Sequence, residues 1–109
     1  MAMKMMTKEI LNKLPKLYET DGKPLEEKIA VVRFFNPCGS GTWYGVEYDH
    51  EDNLFFGLAF IHEWEWGYFS LTELENIRLR GGLKIERDLY FKPTKVSEIS
   101  ELKSYLRVS

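Results

Sequence analysis

The 109 residues contain one cysteine, Cys38, and two histidines, His50 and His62. A lone thiol closes no intrachain disulfide and builds no thiolate zinc centre, and it fits a reducing compartment. Long apolar runs are missing as well. No stretch approaches the length needed to cross a bilayer, and the opening Met-Ala-Met-Lys-Met-Met is too short and too broken for a signal peptide. The expected location is therefore the cytoplasm. There is no glycine-rich phosphate loop ending in Lys-Ser or Lys-Thr, no Gly-x-Ser-x-Gly elbow, no His-Glu-x-x-His and no calcium loop. No cofactor and no metal are expected. Internal repeats, low-complexity tracts and linkers are absent too, so residues 1–109 read as a single domain long enough to bury a core without staples.

The most telling absence is of one charge sign in one place. From Phe34 to Ile77 there is no Lys or Arg, but there are eight acids: Glu47, Asp49, Glu51, Asp52, Glu63, Glu65, Glu73 and Glu75. Residues 1–33 carry seven bases and five acids, and residues 78–109 carry eight bases and four acids. The overall charge of −2 argues against direct nucleic-acid binding. The bases of the last segment (Lys95, Lys103 and Arg107) are too sparse for groove recognition. Two arrangements fit this partition. Either the basic flanks fold over the middle and neutralise it, or the middle presents an acidic-aromatic face that attracts a basic partner and anchors it with rings.

All three tryptophans lie in this middle, between Trp43 and Leu74. Ahead of it, Thr7 caps a first helix whose stripe is Ile10, Leu11, Leu14 and Leu17 or Tyr18, and Pro15 ends that helix near Leu14. Glu19 to Lys28 is a polar loop. Ile29–Phe35 is β-branched and aromatic, hence a strand. Strict alternation in a second strand, Thr42 to Tyr48, places Tyr44, Val46 and Tyr48 on one face and Trp43, Gly45 and Glu47 on the other. Leu54 to Ile61, apolar throughout, reads as a strand covered on both sides, with Gly57 marking a bulge or a close backbone approach. Glu63 and Glu65 alternate with Trp64 and Trp66 in a fourth strand. Ser70-Leu71-Thr72-Glu73 is a capping box that opens a second helix with Leu71, Leu74 and Ile77 inward, stopped by Gly81-Gly82. Leu83–Phe91 is a fifth strand, broken near Arg87, and Pro93-Thr94 starts a last helix bearing Val96, Ile99, Leu102 and Leu106. The order is α-β-β-β-β-α-β-α. Short links between the first strands demand antiparallel pairing, so the fold class is α+β, with a mainly antiparallel sheet of about five strands and about three helices.

Several of these segments carry a resemblance. They are Phe55-Phe56-Gly57-Leu58, the run from Glu63 through Gly67-Tyr68-Phe69-Ser70-Leu71 to Glu75, and Ile85-Glu86-Arg87-Asp88-Leu89-Tyr90-Phe91-Lys92-Pro93-Thr94. Thr7-Lys8-Glu9, Leu14-Pro15 with Tyr18, and Thr42-Trp43-Tyr44 with Glu47-Tyr48-Asp49 add to it. The chain resembles the bacterial domain of unknown function 2958 (DUF2958) over nearly its whole length. The resemblance implies a small cytoplasmic bacterial protein of the kind often encoded on plasmids, phages or conjugative elements. It brings no activity and no catalytic or binding residues. Arg78-Leu79-Arg80-Gly81-Gly82 departs from the Gly-Pro-containing turn more usual there, at the helix exit.

Three constellations compete for a role. Glu47, Asp49, Glu63 and Glu65 with His50 and His62 could form a hard-metal or acid–base site, but their spacing matches no ligand motif. Trp64, Trp66, Tyr68 and Phe69 are explained by burial alone, since a large ring contributes about 1.5–3 kcal/mol. The sharper reading leaves Trp43 and another indole outside as interface anchors. Glu86, Arg87 and Asp88 interrupt an apolar strand and read as an intrachain ion-pair network rather than as an anion-binding fork. The expectation is a non-enzymatic protein-interaction module with a protein partner, basic in character, monomeric and away from membranes. Its contact residues are Trp43, Glu47, Asp49, Glu63, Trp64, Glu65 and Trp66. The alternative is a small metal-dependent enzyme or ligand-binding domain built on carboxylates and His62.

Overall fold

A computed structural model describes residues 4–108, with side-chain surroundings given to residue 106. Residues 1–3 and the Arg107 side chain, both used above, lie outside the described set. The fold is α+β, as the short antiparallel connections require. Among the described residues, three α-helices, α1 (Lys8–Lys13), α2 (Leu71–Asn76) and α3 (Lys103–Val108), accompany seven strands. Five of these form one antiparallel sheet in the order β5 (Trp64–Ser70), β4 (Leu54–Phe60), β3 (Thr42–Asp49), β2 (Val32–Phe35) and β6 (Glu86–Arg87). The other two, β1 (Ile29–Ala30) and β7 (Thr94–Lys95), pair as a small second sheet.

The expected strand over 29–35 is thus split. Ile29 and Ala30 pair with Lys95 and Thr94, while Val32–Phe35 pair with β3. The link between them is Val31, whose N–H donates to the Gly45 carbonyl at 2.8 Å. Expected alternation along β3 is also broken. Gly45 pairs with Gly57 and Glu47 with Phe56, so Val46 is the extra residue of a bulge. A bulge shifts the side-chain register by one. Trp43 and Tyr48 therefore fall on one face and Tyr44 and Glu47 on the other, where strict alternation had joined Tyr44 to Tyr48 and Trp43 to Glu47. Gly57 makes this possible, because a Cβ there would lie 1.8 Å from the Tyr44 carbonyl oxygen.

Each face has its own core. On the first, Val32, Phe34, Trp43, Tyr48 and Phe55 meet Leu14, Leu71, Leu74 and Ile85. Phe55 stacks on Phe69 at 5.0 Å and tilts against Tyr48 at 4.7 Å. On the second, Tyr44, Leu58 and Ala30 meet Val96, Ile99 and Leu102, with Trp64 and Trp66 half-buried around them.

The helix caps follow the sequence. Thr7 Oγ1 accepts from the Ile10 N–H at 3.1 Å, and Ser70 Oγ accepts from the Glu73 N–H at 3.1 Å. Pro15 stops α1 at Lys13, with Leu14 as its cap. Three expectations fail at the C-terminal side. Helix α2 ends at Asn76, and Gly81 and Gly82 (φ 72° and 80°) form a separate turn. Only Glu86–Arg87 of the expected fifth strand pairs, because Asp88–Phe91 turns away, with the Phe91 N–H on the Asp88 carbonyl. The expected last helix from Pro93 is β7 followed by two 3₁₀ turns, Val96–Glu98 and Ser100–Leu102, before α3. Its apolar residues Val96, Ile99 and Leu102 are spaced by three, the period of a 3₁₀ helix rather than an α-helix, and all three are buried.

Candidate interaction surface

Strand β5 is an edge. It pairs with β4 from Trp64↔Phe60 to Ser70↔Leu54, and no described residue pairs with its other side. In an antiparallel pair every second residue turns its N–H and C=O away from the partner, so β5 presents a row of backbone groups outward. Its side chains divide between the two faces. Trp64, Trp66 and Tyr68 share one face with Phe56 and Phe60, and Glu65, Gly67 and Phe69 share the other. The rings form two adjoining groups: Phe60–Trp64 at 5.2 Å, and Phe56 between Trp66, stacked at 5.6 Å, and Tyr68 at 5.4 Å. Trp64 and Trp66 pack against the second core with one side and remain half-exposed, while Tyr68 is 52 % exposed.

A fourth exposed ring joins these from outside the strand. Tyr18 is 63 % exposed, has a left-handed backbone (φ 69°), and brings its side chain beside Tyr68. That contact, reinforced by the negative charges of Glu47 and Asp21, raises the Tyr68 phenol above its ordinary value. A non-glycine residue at positive φ costs about 1–3 kcal/mol and needs surrounding structure to hold it. Glu47 supplies that hold. Its Oε1 accepts from the Tyr18 N–H at 2.8 Å, and its Oε2 accepts from the Thr20 N–H at 3.0 Å and from the Thr20 hydroxyl. Lys28 closes the arrangement: its Nζ donates to the Thr20 carbonyl and hydroxyl and lies 3.9 Å from Glu47 Oε2. Lys28 and Glu47 are 3 % and 2 % exposed.

The residues expected at the contact face are therefore dispersed. Trp43, 7 % exposed, is core on the first face, and Glu47 is buried on the second, so neither offers a surface to a partner. Burial follows for Trp43 from its position on a central strand beneath α1 and α2, and for Glu47 from the bulge that turns it under the 16–28 loop. Asp49 sits at the far end of the ladder from Glu63, about 20 Å along a seven-residue strand. Only Glu63, Trp64, Glu65 and Trp66 stand together, at β5. Tyr18, Phe56 and Tyr68, which join them, were not singled out as surface residues. Nothing local marks Tyr18, because its placement depends on a carboxylate 29 positions away.

Among the described residues, Glu47 is the one acid of the middle segment that forms an ion pair, and Glu51, Asp52, Glu63, Glu65, Glu73 and Glu75 are exposed. Apart from Lys28, the flanking bases that form ion pairs among the described residues, Lys13 and Arg33, turn to flank acids. Arg33 reaches Asp88 at 3.2 Å and Glu101 at 3.1 Å, and Glu101 also accepts from the Tyr44 hydroxyl. Burial above all, then that carboxylate, pushes the Tyr44 phenol above its ordinary 10.0, against the opposing pull of Arg33. Asp88 is thus held within the chain by Arg33, and Arg87 Nε donates to the Lys4 carbonyl at 3.0 Å.

Among the described residues no three His, Cys, Asp or Glu side chains converge as metal ligands. His50 lies edge-on to Tyr48 at 5.1 Å, and His62 is exposed in the turn before β5. A cleft of about 490 Å³ opens elsewhere, between α1 and the 87–93 loop, lined by Lys13, Arg87 and Lys92 as well as Glu9 and Asp88. No helix among the described residues is long and apolar enough to cross a membrane.

The family model described as "Protein of unknown function (DUF2958)" matches residues 5–107. No curated protein and no solved structure matches the chain.

Proposed function

The chain belongs to the DUF2958 family, whose description names no activity, and we propose that it is a non-enzymatic interaction module that receives a basic protein partner at β5. One observation carries this reading. A seven-residue edge strand carries half-exposed indoles, the exposed Tyr68 and the exposed carboxylate of Glu65, with the exposed Tyr18 beside it and the exposed Glu63 in the bend just before it, and neither carboxylate has an ion-pair partner among the described residues. Aromatic rings beside unneutralised charge suit a binding surface: the charge steers the approach and selects the sign of the partner, and the rings supply contact area at low entropic cost. A cytoplasmic accessory role on a plasmid, phage or conjugative element is part of the same proposal, taken from the resemblance.

The test is affinity capture of the tagged protein from its native host beside a double variant, Glu63→Gln and Glu65→Gln. Glu47 is left intact, since its neutralisation would unfold the 16–28 loop and confound the result. The expected outcome is a basic protein recovered with the wild type and lost with the variant. Recovery of the same proteins by both would remove the acidic edge from consideration.

A further inference from the structure

Building on that reading, we infer that the partner adds an extended basic strand to β5, with cationic side chains against Glu63 and Glu65 and apolar ones over Trp64, Trp66 and Tyr68. The three glycines Gly45, Gly57 and Gly67 lie in register across β3, β4 and β5. Packing accounts for two of them. A Cβ at Gly45 would meet Phe55 at 2.7 Å and Val32 at 2.8 Å, and one at Gly57 would strike the Tyr44 carbonyl. Gly67 is different: a Cβ there meets nothing within 4 Å, and its φ is not positive. Neither space nor backbone conformation demands glycine at this position. The consequence is an open notch on the first face of β5, between the side chains of Glu65 and Phe69, which helices α1 and α2 leave uncovered.

Strand addition uses all of these features together. Main-chain hydrogen bonds to the outward groups of β5 supply affinity, and the period of two in the added strand matches side chains to alternate faces. On the Glu65 face, a Lys or Arg of the added strand lies directly opposite or diagonal to a carboxylate, the favourable cross-strand pairing. A neighbouring long side chain enters the notch at Gly67. On the other face, apolar side chains extend the Trp64–Trp66–Tyr68 row. An acidic strand is repelled at Glu63 and Glu65, so the edge is selective by charge. The opposite edge of the sheet provides no such template, since β6 has only two residues.

The probe is a blocked heptapeptide of alternating Lys and Val, compared with a peptide of the same composition in which the Lys and Val residues are segregated. Binding is followed by tryptophan fluorescence, and location by backbone amide shifts and hydrogen exchange. The expected result is at least tenfold tighter binding of the alternating peptide, with new amide protection confined to Trp64–Ser70. Gly67→Val and the Glu63→Gln, Glu65→Gln pair should each weaken it at least tenfold while leaving the melting temperature in place. Equal binding of the two peptides, protection elsewhere in the chain, or full binding by Gly67→Val would overturn strand addition. So would a concentration-dependent dimer of the free protein that protects β5, because the occupant would then be a second copy. The two proposals fail separately. A host partner lost by the charge variant but kept by Gly67→Val refutes the strand mode and leaves the interaction reading standing.

Discussion

Glu47 and Glu65 stand on strands separated by β4 in one sheet, each embedded among aromatic residues, and their surroundings are opposite. Glu47 is enclosed, saturated by two backbone N–H groups, a hydroxyl and a buried ammonium. Glu65 lies at an open edge, exposed and without an ion-pair partner among the described residues. The difference shows how one type of side chain serves two ends. A buried carboxylate is tolerable only if its lone pairs are filled, and once filled it fixes whatever donates to it. Here it fixes Tyr18 in a left-handed conformation and so carries a ring to Tyr68. An exposed carboxylate contributes little to folding, and its charge stays available to a partner.

The sharpest way to break this contrast is Glu47→Gln. Removing one member of a buried, hydrogen-bonded pair strands Lys28 without its counter-ion, so a loss of about 3–5 kcal/mol in urea unfolding is expected. Collapse of the Tyr18–Tyr68 contact should accompany it. An unchanged midpoint would show that the Glu47 network does not hold the loop.

Gly57→Ala comes next. The added methyl must displace the Tyr44 carbonyl or undo the bulge, an overpacking cost of about 1–3 kcal/mol or more. The same substitution at Gly67 places its methyl in open space and should leave stability level or raise it by about 0.4–1 kcal/mol, through a less flexible unfolded chain. Parallel denaturant titrations of the two variants measure the contrast directly.

Alkaline titration isolates the Tyr44 cluster. Because the folded phenol is raised above its ordinary 10.0, its contribution to stability is complete below pH 10.0 and is lost as pH climbs through the raised value. Above about pH 10 the wild type should therefore lose stability more steeply than Tyr44→Phe, measured by urea midpoints, while below it the two pH profiles should run parallel. The smallest expected effect on folding is that of Glu65→Gln, whose melting temperature should match the wild type. Its consequence should appear only in binding.

Much of this fold was legible because its signals are local. Thr7 and Ser70 announce their caps, Pro15 stops α1, and β-branched and aromatic runs separated by short turns specify antiparallel strands. Gly57 reads as a close approach from its placement within an apolar strand. The C-terminal quarter misleads for an equally physical reason: apolar residues three apart fit either a helix stripe or successive 3₁₀ turns, and packing on the second face decided for the latter. The candidate surface was half visible. Alternation from Trp64 to Trp66 survives intact on β5, which has no bulge, and Glu63, expected in the strand, falls in the bend just before it, so the four residues read together remain neighbours. Trp43 and Glu47 could not be assigned correctly by alternation, because one inserted residue at Val46 exchanges the faces beyond it.

The sequence by itself determined the strand-rich α+β class, the caps and turns, and the confinement of unopposed acids and indoles to the middle of the chain, since each depends on neighbours a few positions apart. Tertiary structure alone decided which acids are buried and which strand is left at the edge. Those outcomes rest on the bulge in β3, on Lys28 and Thr20 meeting Glu47 across the fold, and on the β5-β4-β3-β2-β6 order. Such contacts join residues far apart in the chain, and no local pattern of residues encodes them.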